Sequence, residues 1–279
     1  MEKLLTEQEA AALAAKANEH RRTILRTLHK GGSGHPGGSL SSIDILTVLF
    51  ERVLRHDPGN PRWPGRDRFV LSKGHGCPAL YVVMADRGYF PAATLDTFRQ
   101  MGSPLQGHPD IRFLPALEVC TGSLGQGFSE ALGLAIAGQI DGAPHRVYCM
   151  LGDGEIDEGQ VWEGALLAPN RKLDSFVAII DRNGAQQCGH TEDILDTAPL
   201  GAKWEAFGWT VYEVNGHDVQ EINWALQPER IVPGKPTMIV AHTKKGWPIS
   251  FMMDSPADFH GKAPNDAELA AALAELEGQ

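Results

Sequence analysis

The sequence predicts an α/β fold: a mostly parallel sheet with helices on both faces. Three observations carry that expectation. Five short apolar runs read as strands: FVLS (69–72), RVYCML (146–151), FVAIID (176–181), GWTVYEV (208–214) and PTMIVAHT (236–243). Helical or polar segments separate each run from the next. Several runs are apolar almost without interruption, as strands covered on both faces require.

The intervening segments follow in order. Thr6 and Glu9 have the spacing of a capping box and start an Ala- and Leu-rich helix that runs to about Lys30. The loop GGSGHPGGS (31–39) breaks it, and IDILTVLFERVL resumes helical periodicity. FVLS ends in Lys73-Gly74-His75-Gly76, and a long connection passes through Gly107-His108-Pro109. TGSLGQG (121–127) leads into a helix of small and apolar residues, FSEALGLAIAG. Asn265 and Glu268 cap a last helix to the C-terminus. With no repeat, low-complexity tract or linker, a single domain over residues 1–279 is expected.

Composition narrows the function. The chain has 25 basic and 35 acidic residues, a net charge of -10, which argues against a nucleic-acid or anionic-membrane surface. No apolar run reaches membrane-spanning length, and the N-terminal stretch lacks a signal-peptide core. Four cysteines without a CxxC pair suit a reduced, cytoplasmic protein.

The chemistry concentrates between residues 152 and 183. One strand ends in Gly152-Asp153-Gly154, and the next ends in Arg182-Asn183, with a helix between. In an open α/β sheet, ligands bind beyond the carboxyl ends of strands. Asp153 and Asn183, 30 residues apart, would deliver a carboxylate and an amide oxygen to the same edge. A backbone carbonyl near Ala185 would add a third oxygen. That donor set suits a hard cation, magnesium or else calcium or manganese, bridging to a diphosphate. Gly152 and Gly154 would let the backbone approach the phosphates beside a helix start. Asp-Gly alone is also a common turn pair; the Asn after a helix and a second strand is what favours the metal.

GDG, that interval and an Asn resemble the thiamine diphosphate motif. SGHPGGS, LSKGHG, GHPD, TGSLGQG, GDGEIDEGQVWE and FHGKAP follow the order found in the transketolase family. The resemblance covers nearly the whole chain, and only the family's N-terminal, diphosphate-binding domain. It implies the thiamine diphosphate-binding fold and a transferase that moves a two-carbon ketol unit from a ketose to an aldose. By the same resemblance, His35 and His260 would contact sugar oxygens, His75 would lie against the diphosphate, and His108 would bind hydroxyls near the reacting carbon. The Gly122 carbonyl and Leu124 would meet the cofactor rings, with Ser123 between them in the same turn. Glu158 and Glu163 would join a carboxylate network at the subunit interface, although acidic residues at a helix start also suit the helix dipole.

Neither the pyrimidine-binding nor the C-terminal domain of a full transketolase has room in this chain, and the glutamate that activates the aminopyrimidine lies there in the family. The expectation is a separate N-terminal subunit, working in an α₂β₂ assembly with a C-terminal subunit. Because the family's phosphate-gripping residues lie mostly on the missing domains, the sugar's tail stays open, phosphate or sulfonate. Ala185 stands where relatives commonly have Ile or Leu under the thiazolium. The competing readings are the α subunit of a 2-oxo acid dehydrogenase and a noncatalytic module that binds thiamine diphosphate or a sugar phosphate.

Overall fold

The computed structural model describes residues 4–277. Its centre is a five-stranded sheet in the order β1-β2-β3-β5-β4, with every pair parallel. The strands are β1 (Arg68–Leu71), β2 (Val147–Gly152), β3 (Phe176–Arg182), β4 (Thr210–Asn215) and β5 (Thr237–His242). All five predicted strands form, within two residues of the expected bounds. The helices are α1 (Glu7–Gly31), α2 (Pro36–Val48), α3 (Cys77–Asp86), α4 (Gln126–Ile140), α5 (Gly159–Asn170), α6 (Thr191–Ile194), α7 (Leu200–Phe207), α8 (Val219–Ala225), α9 (Ser250–Asp254) and α10 (Asp266–Glu277).

Strand alternation sends side chains into two separate cores. Tyr148, Met150, Val177, Ile179 and Ile239 point to the face covered by α1, α2, α3 and α8. Cys149, Leu151, Ala178, Ile180 and Val240 point to the opposite face, where α4, α5 and α7 pack. That second core holds the aromatic group Phe128, Phe176, Trp204 and Trp209, with Trp204 edge-on to Trp209 at 4.9 Å. Burial on both faces explains why the strands read as continuous apolar runs rather than alternating ones.

The predicted caps are present. The Thr6 hydroxyl accepts from the Glu9 amide while the Glu9 carboxylate accepts from the Thr6 amide. Asn265 and Glu268 cap α10 in the same reciprocal way. The loop expected over 31–39 is shorter than that. Pro36 sits at the first helical position, where its missing N–H costs nothing, so α2 starts there and takes up the two glycines that follow. His35 thereby becomes the residue that enters the helix. At its far end α2 passes into a π-helical turn, Leu49–Val53.

Candidate active site

The carboxyl ends of β1, β2, β3 and β5 open into one cavity of about 450 Å³. Its floor is built from charge. Asp181, wholly buried at the end of β3, accepts from the Lys73 ammonium, the Ser41 and Thr243 hydroxyls and the Asn183 amide. Burial alone would raise the Asp181 pKa; the adjacent Lys73 ammonium and these hydrogen bonds outweigh it and hold the carboxyl ionised, below its usual range. Lys73 also donates to the Gly38 carbonyl at the start of α2, tying that helix to the sheet.

Asp153 lies one residue past β2, 3% exposed. Its Oδ1 accepts from the Gly154 amide at 3.0 Å, and its Oδ2 accepts from the Gly184 amide at 2.6 Å and the Thr191 hydroxyl at 3.3 Å. Asn183, which lines the cavity, donates from Nδ2 to Asp181 and accepts at Oδ1 from the Ala185 amide. The Ala185 carbonyl accepts from Lys245. A carboxylate has about four lone-pair sites and a carbonyl two, so all three oxygens keep acceptor capacity. Burial, and next the Asp181 charge, push the Asp153 pKa up to about 6. A buried carboxylate held at such a disadvantage, with two further oxygens beside it, fits a divalent cation.

Four histidines ring the space above. The His35 ring lies 5.3 Å from His75, 5.3 Å from His260 and 6.3 Å from His108, centroid to centroid. Burial, then neighbouring cationic groups, lowers the pKa of His35 to about 3 and that of His260 to about 4. His75 is pushed well below the usual range and His108 is lowered too, by burial first in each case. All four imidazoles are therefore neutral at pH 7. Each carries one N–H and one acceptor nitrogen; Lys245 Nζ meets His260 Nδ1 at 2.9 Å, so His260 offers its N–H, while the other three suit alternating donation and acceptance with hydroxyl groups.

The TGSLGQG turn closes the side of the cavity. Gly122 has φ +143, and a Cβ there would stand 2.9 Å from the His108 ring. Gly154 is similarly confined, since a Cβ would meet the Gln186 side chain at 2.8 Å.

Most residues expected from the sequence meet here. His35, His75, His108, His260, Gly122, Leu124, Gly152, Asp153, Gly154, Glu158, Asn183 and Ala185 all line the cavity. Ser123 and Glu163 do not: Ser123 is exposed on the turn, and Glu163 sits on the exposed face of α5. Sequence reasoning missed Lys73, Asp181, Lys245 and Glu155. Glu155, 2% exposed, accepts from the Ser72 hydroxyl and from the Gly125 and Gly152 amides, joining three loops in one carboxylate. The signal for it was an acidic residue directly after GDG, and for Lys73 and Lys245 a lysine just past a strand end.

A parallel α/β sheet whose strand ends open into a cavity lined by Asp153, Asn183 and four histidines defines an α/β domain of the kind that binds its ligand at that edge. Residues 13–277 match the family model of the transketolase thiamine diphosphate-binding domain, and the chain belongs to that family. A 6-deoxy-6-sulfo-D-fructose transketolase subunit from Clostridium sp. (strain MSTE9) is 46% identical over 95% of this chain and 96% of its own length. An apulose-4-phosphate transketolase subunit from Actinobacillus succinogenes is 42% identical over 93% of each chain. Mouse transketolase is 42% identical, but this chain spans only 40% of it. Among solved structures, the transketolase of Leishmania mexicana superimposes with a TM-score of 0.89 at 33% identity, over 95% of this chain and 41% of that one. The chain is thus a member of a family of transferases, and it matches these separate subunits over nearly the whole of their length.

Proposed function

We propose that the cavity holds thiamine diphosphate through a divalent cation, magnesium or else calcium or manganese, on Asp153, the Asn183 side-chain oxygen and the Ala185 carbonyl. His75 lies against the diphosphate, and Gly122 and Leu124 flank the rings. Bound thiamine diphosphate supplies the nucleophile that takes the two-carbon fragment and the electron sink that stabilises it. The chain's own part is to orient the sugar. His35 and His260 hydrogen-bond its oxygens and carry protons there, while His108 fixes the hydroxyls next to the carbonyl. The convergence of these four imidazoles, with His35 5.3 Å from His75 and His260 and 6.3 Å from His108, in the same cavity that Asp153 and Asn183 line is the observation that carries this reading.

The donor is a ketose with an anionic end and the acceptor an aldose. Relatives of matching extent are named for a sulfonated and a phosphorylated ketose, which supports the anionic end and leaves sulfonate and phosphate both in play. The second subunit brings the pyrimidine-binding and C-terminal domains, in an α₂β₂ assembly whose paired sites are linked by Glu158 and Glu163. The chain works as a single-domain subunit in the cytoplasm, a placement that its four unpaired cysteines support. No described helix is long and apolar enough to cross a membrane.

The test begins with calorimetry on the full chain. Asp153→Asn should abolish metal-dependent binding of thiamine diphosphate. His260→Ala should leave that binding within a few-fold and, with the second subunit present, lower ketol transfer by about 10²–10⁴. Full transfer by the single chain without a partner, or metal-dependent binding that survives Asp153→Asn, contradicts the proposal.

A further inference from the structure

Behind the cavity wall runs a chain of polar contacts that the binding of cofactor and sugar does not use. Arg21 on α1 and Asp44 on α2 are 5% and 4% exposed, and the Arg21 guanidinium donates to Asp44 Oδ2. The same oxygen faces His217 Nδ1 at 2.8 Å. On the other side of that ring, Nε2 accepts from the Lys244 backbone amide at 3.0 Å. A nitrogen that accepts from an N–H carries no proton, so the His217 proton is on Nδ1 and is donated to Asp44. The Trp247 ring stacks on this imidazole at 4.9 Å, and the Gly246 amide donates to the Gly37 carbonyl, so the segment is held from both sides.

The residue after Lys244 is the one that reaches the cavity. Lys245 Nζ faces three acceptors: the Ala185 carbonyl at 3.2 Å, the Gln186 carbonyl at 3.0 Å and His260 Nδ1 at 2.9 Å. An ammonium has three protons, and here each has an acceptor. His260 Nδ1 is thus an acceptor, and the His260 proton stands on Nε2.

We propose that Arg21, Asp44 and His217 are positioning residues that hold the Lys244–Lys245 backbone so that Lys245 fixes His260 as the Nε2–H donor toward the sugar. The Asp44 carboxylate is what makes the arrangement directional. With an amide at position 44, His217 can take the other tautomer, and its Nε2–H then opposes the Lys244 N–H. Stability is a poor reason for burying Arg21 with Asp44, because buried ion pairs seldom outperform apolar packing. Orientation of a donor in the active site is a better one. The same relation of carboxylate, imidazole and reacting group works in serine hydrolases, where the carboxylate selects the tautomer. Here the imidazole acts on a backbone amide and, through it, on a lysine.

The kinetic part rests on the function proposed above; the tautomers do not, so the two can fail separately. In the full chain without cofactor, 15N NMR of the imidazoles should show His217 protonated on Nδ1 and His260 on Nε2. The opposite tautomer at either ring overturns the proposal with no variant needed. Asp44→Asn and His217→Gln, assembled with the second subunit, should each lower kcat about 10–100-fold, the size of losses when a partner that orients a ligand is removed. KM and the Kd for thiamine diphosphate should move less than about 3-fold. The double variant should lose no more than the worse single one, because all act along one path. Unchanged kcat in either folded variant, or additive losses in the double, would remove the positioning role. If neither chain assembles with ketol-transfer activity even as wild type, the function fails and the tautomer result still stands or falls alone.

Discussion

At the scale of residues, the histidine cluster has a cost that shows in acid. The folded pKa values of His35 and His260, about 3 and about 4, lie below the 6.5 of an unfolded chain. Between pH 6.5 and 4 the unfolded state therefore binds protons that the folded state refuses, so stability falls as pH falls through that window. Urea denaturation of the cofactor-free chain should show a lower midpoint at about pH 5 than at about pH 7, with the drop reduced in His35→Asn/His260→Asn. An equal drop in that double variant would show that other groups set the acid sensitivity. The four histidines were visible in the sequence because each stands in a Gly- or Pro-flanked loop next to a recognisable motif. Asp181 was not, because it closes an apolar strand run and its partners Ser41, Lys73 and Thr243 come from three distant segments. Glu155 was hidden for the same reason: nothing local reveals that a carboxylate will collect Ser72, Gly125 and Gly152.

At the scale of elements, periodicity and caps were enough to find every strand, the ends of α1 and the start of α10, since both signals are local in sequence; the expected run of that last helix to the C-terminus extends beyond the described residues. The start of α2 was misjudged for a local reason as well. The glycines of GGSGHPGGS read as loop, but Pro36 fixes a helical φ ahead of them and packing carries the helix through: all of α2 is buried. The turn carrying Gly122 is the element most exposed to a single substitution. Gly122→Ala puts a methyl group against the His108 ring in a backbone region that alanine disfavours, at a cost of about 1–3 kcal/mol. The thermal midpoint should fall, and with the second subunit present KM for the ketose should rise more than the Kd for thiamine diphosphate, since the role proposed for His108 is to bind the sugar's hydroxyls. A midpoint equal to wild type would mean that the turn relaxes at no cost.

At the scale of the whole molecule, the parallel sheet divides labour between its two ends. The carboxyl ends carry the cavity, while α4 and α5 on one face carry exposed apolar side chains. Ile140 at the end of α4 is 78% exposed, and Leu166 and Leu167 on α5 are 58% and 39% exposed. Glu163 stands one turn before Leu167 on that helix. We expect a second copy of the chain to cover these side chains, which brings each Glu163 near the partner site. Leu166→Glu/Leu167→Glu should shift the sedimenting species to lower mass while far-ultraviolet circular dichroism stays unchanged. A species of unchanged mass would assign these side chains to another use.

The proposed cation ligands stand on supports of unequal strength. Asp153 and Asn183 directly follow β2 and β3, two interior strands: β2 pairs over four residues with β1 and six with β3, and β3 over six on each side, so the base of the cavity opens only when the sheet does. Ala185 begins a very different stretch, held by an isolated bridge to His190 and the four-residue α6, with Ile194 and Leu195 in solvent. In amide exchange, β2 and β3 should keep their protons as long as the native state lasts, while residues 185–195 trade theirs through local opening. Adding magnesium and thiamine diphosphate should slow the second group and leave the first as it was. On the proposed reading the cofactor would meet an anvil already set and a clasp that its own arrival fastens.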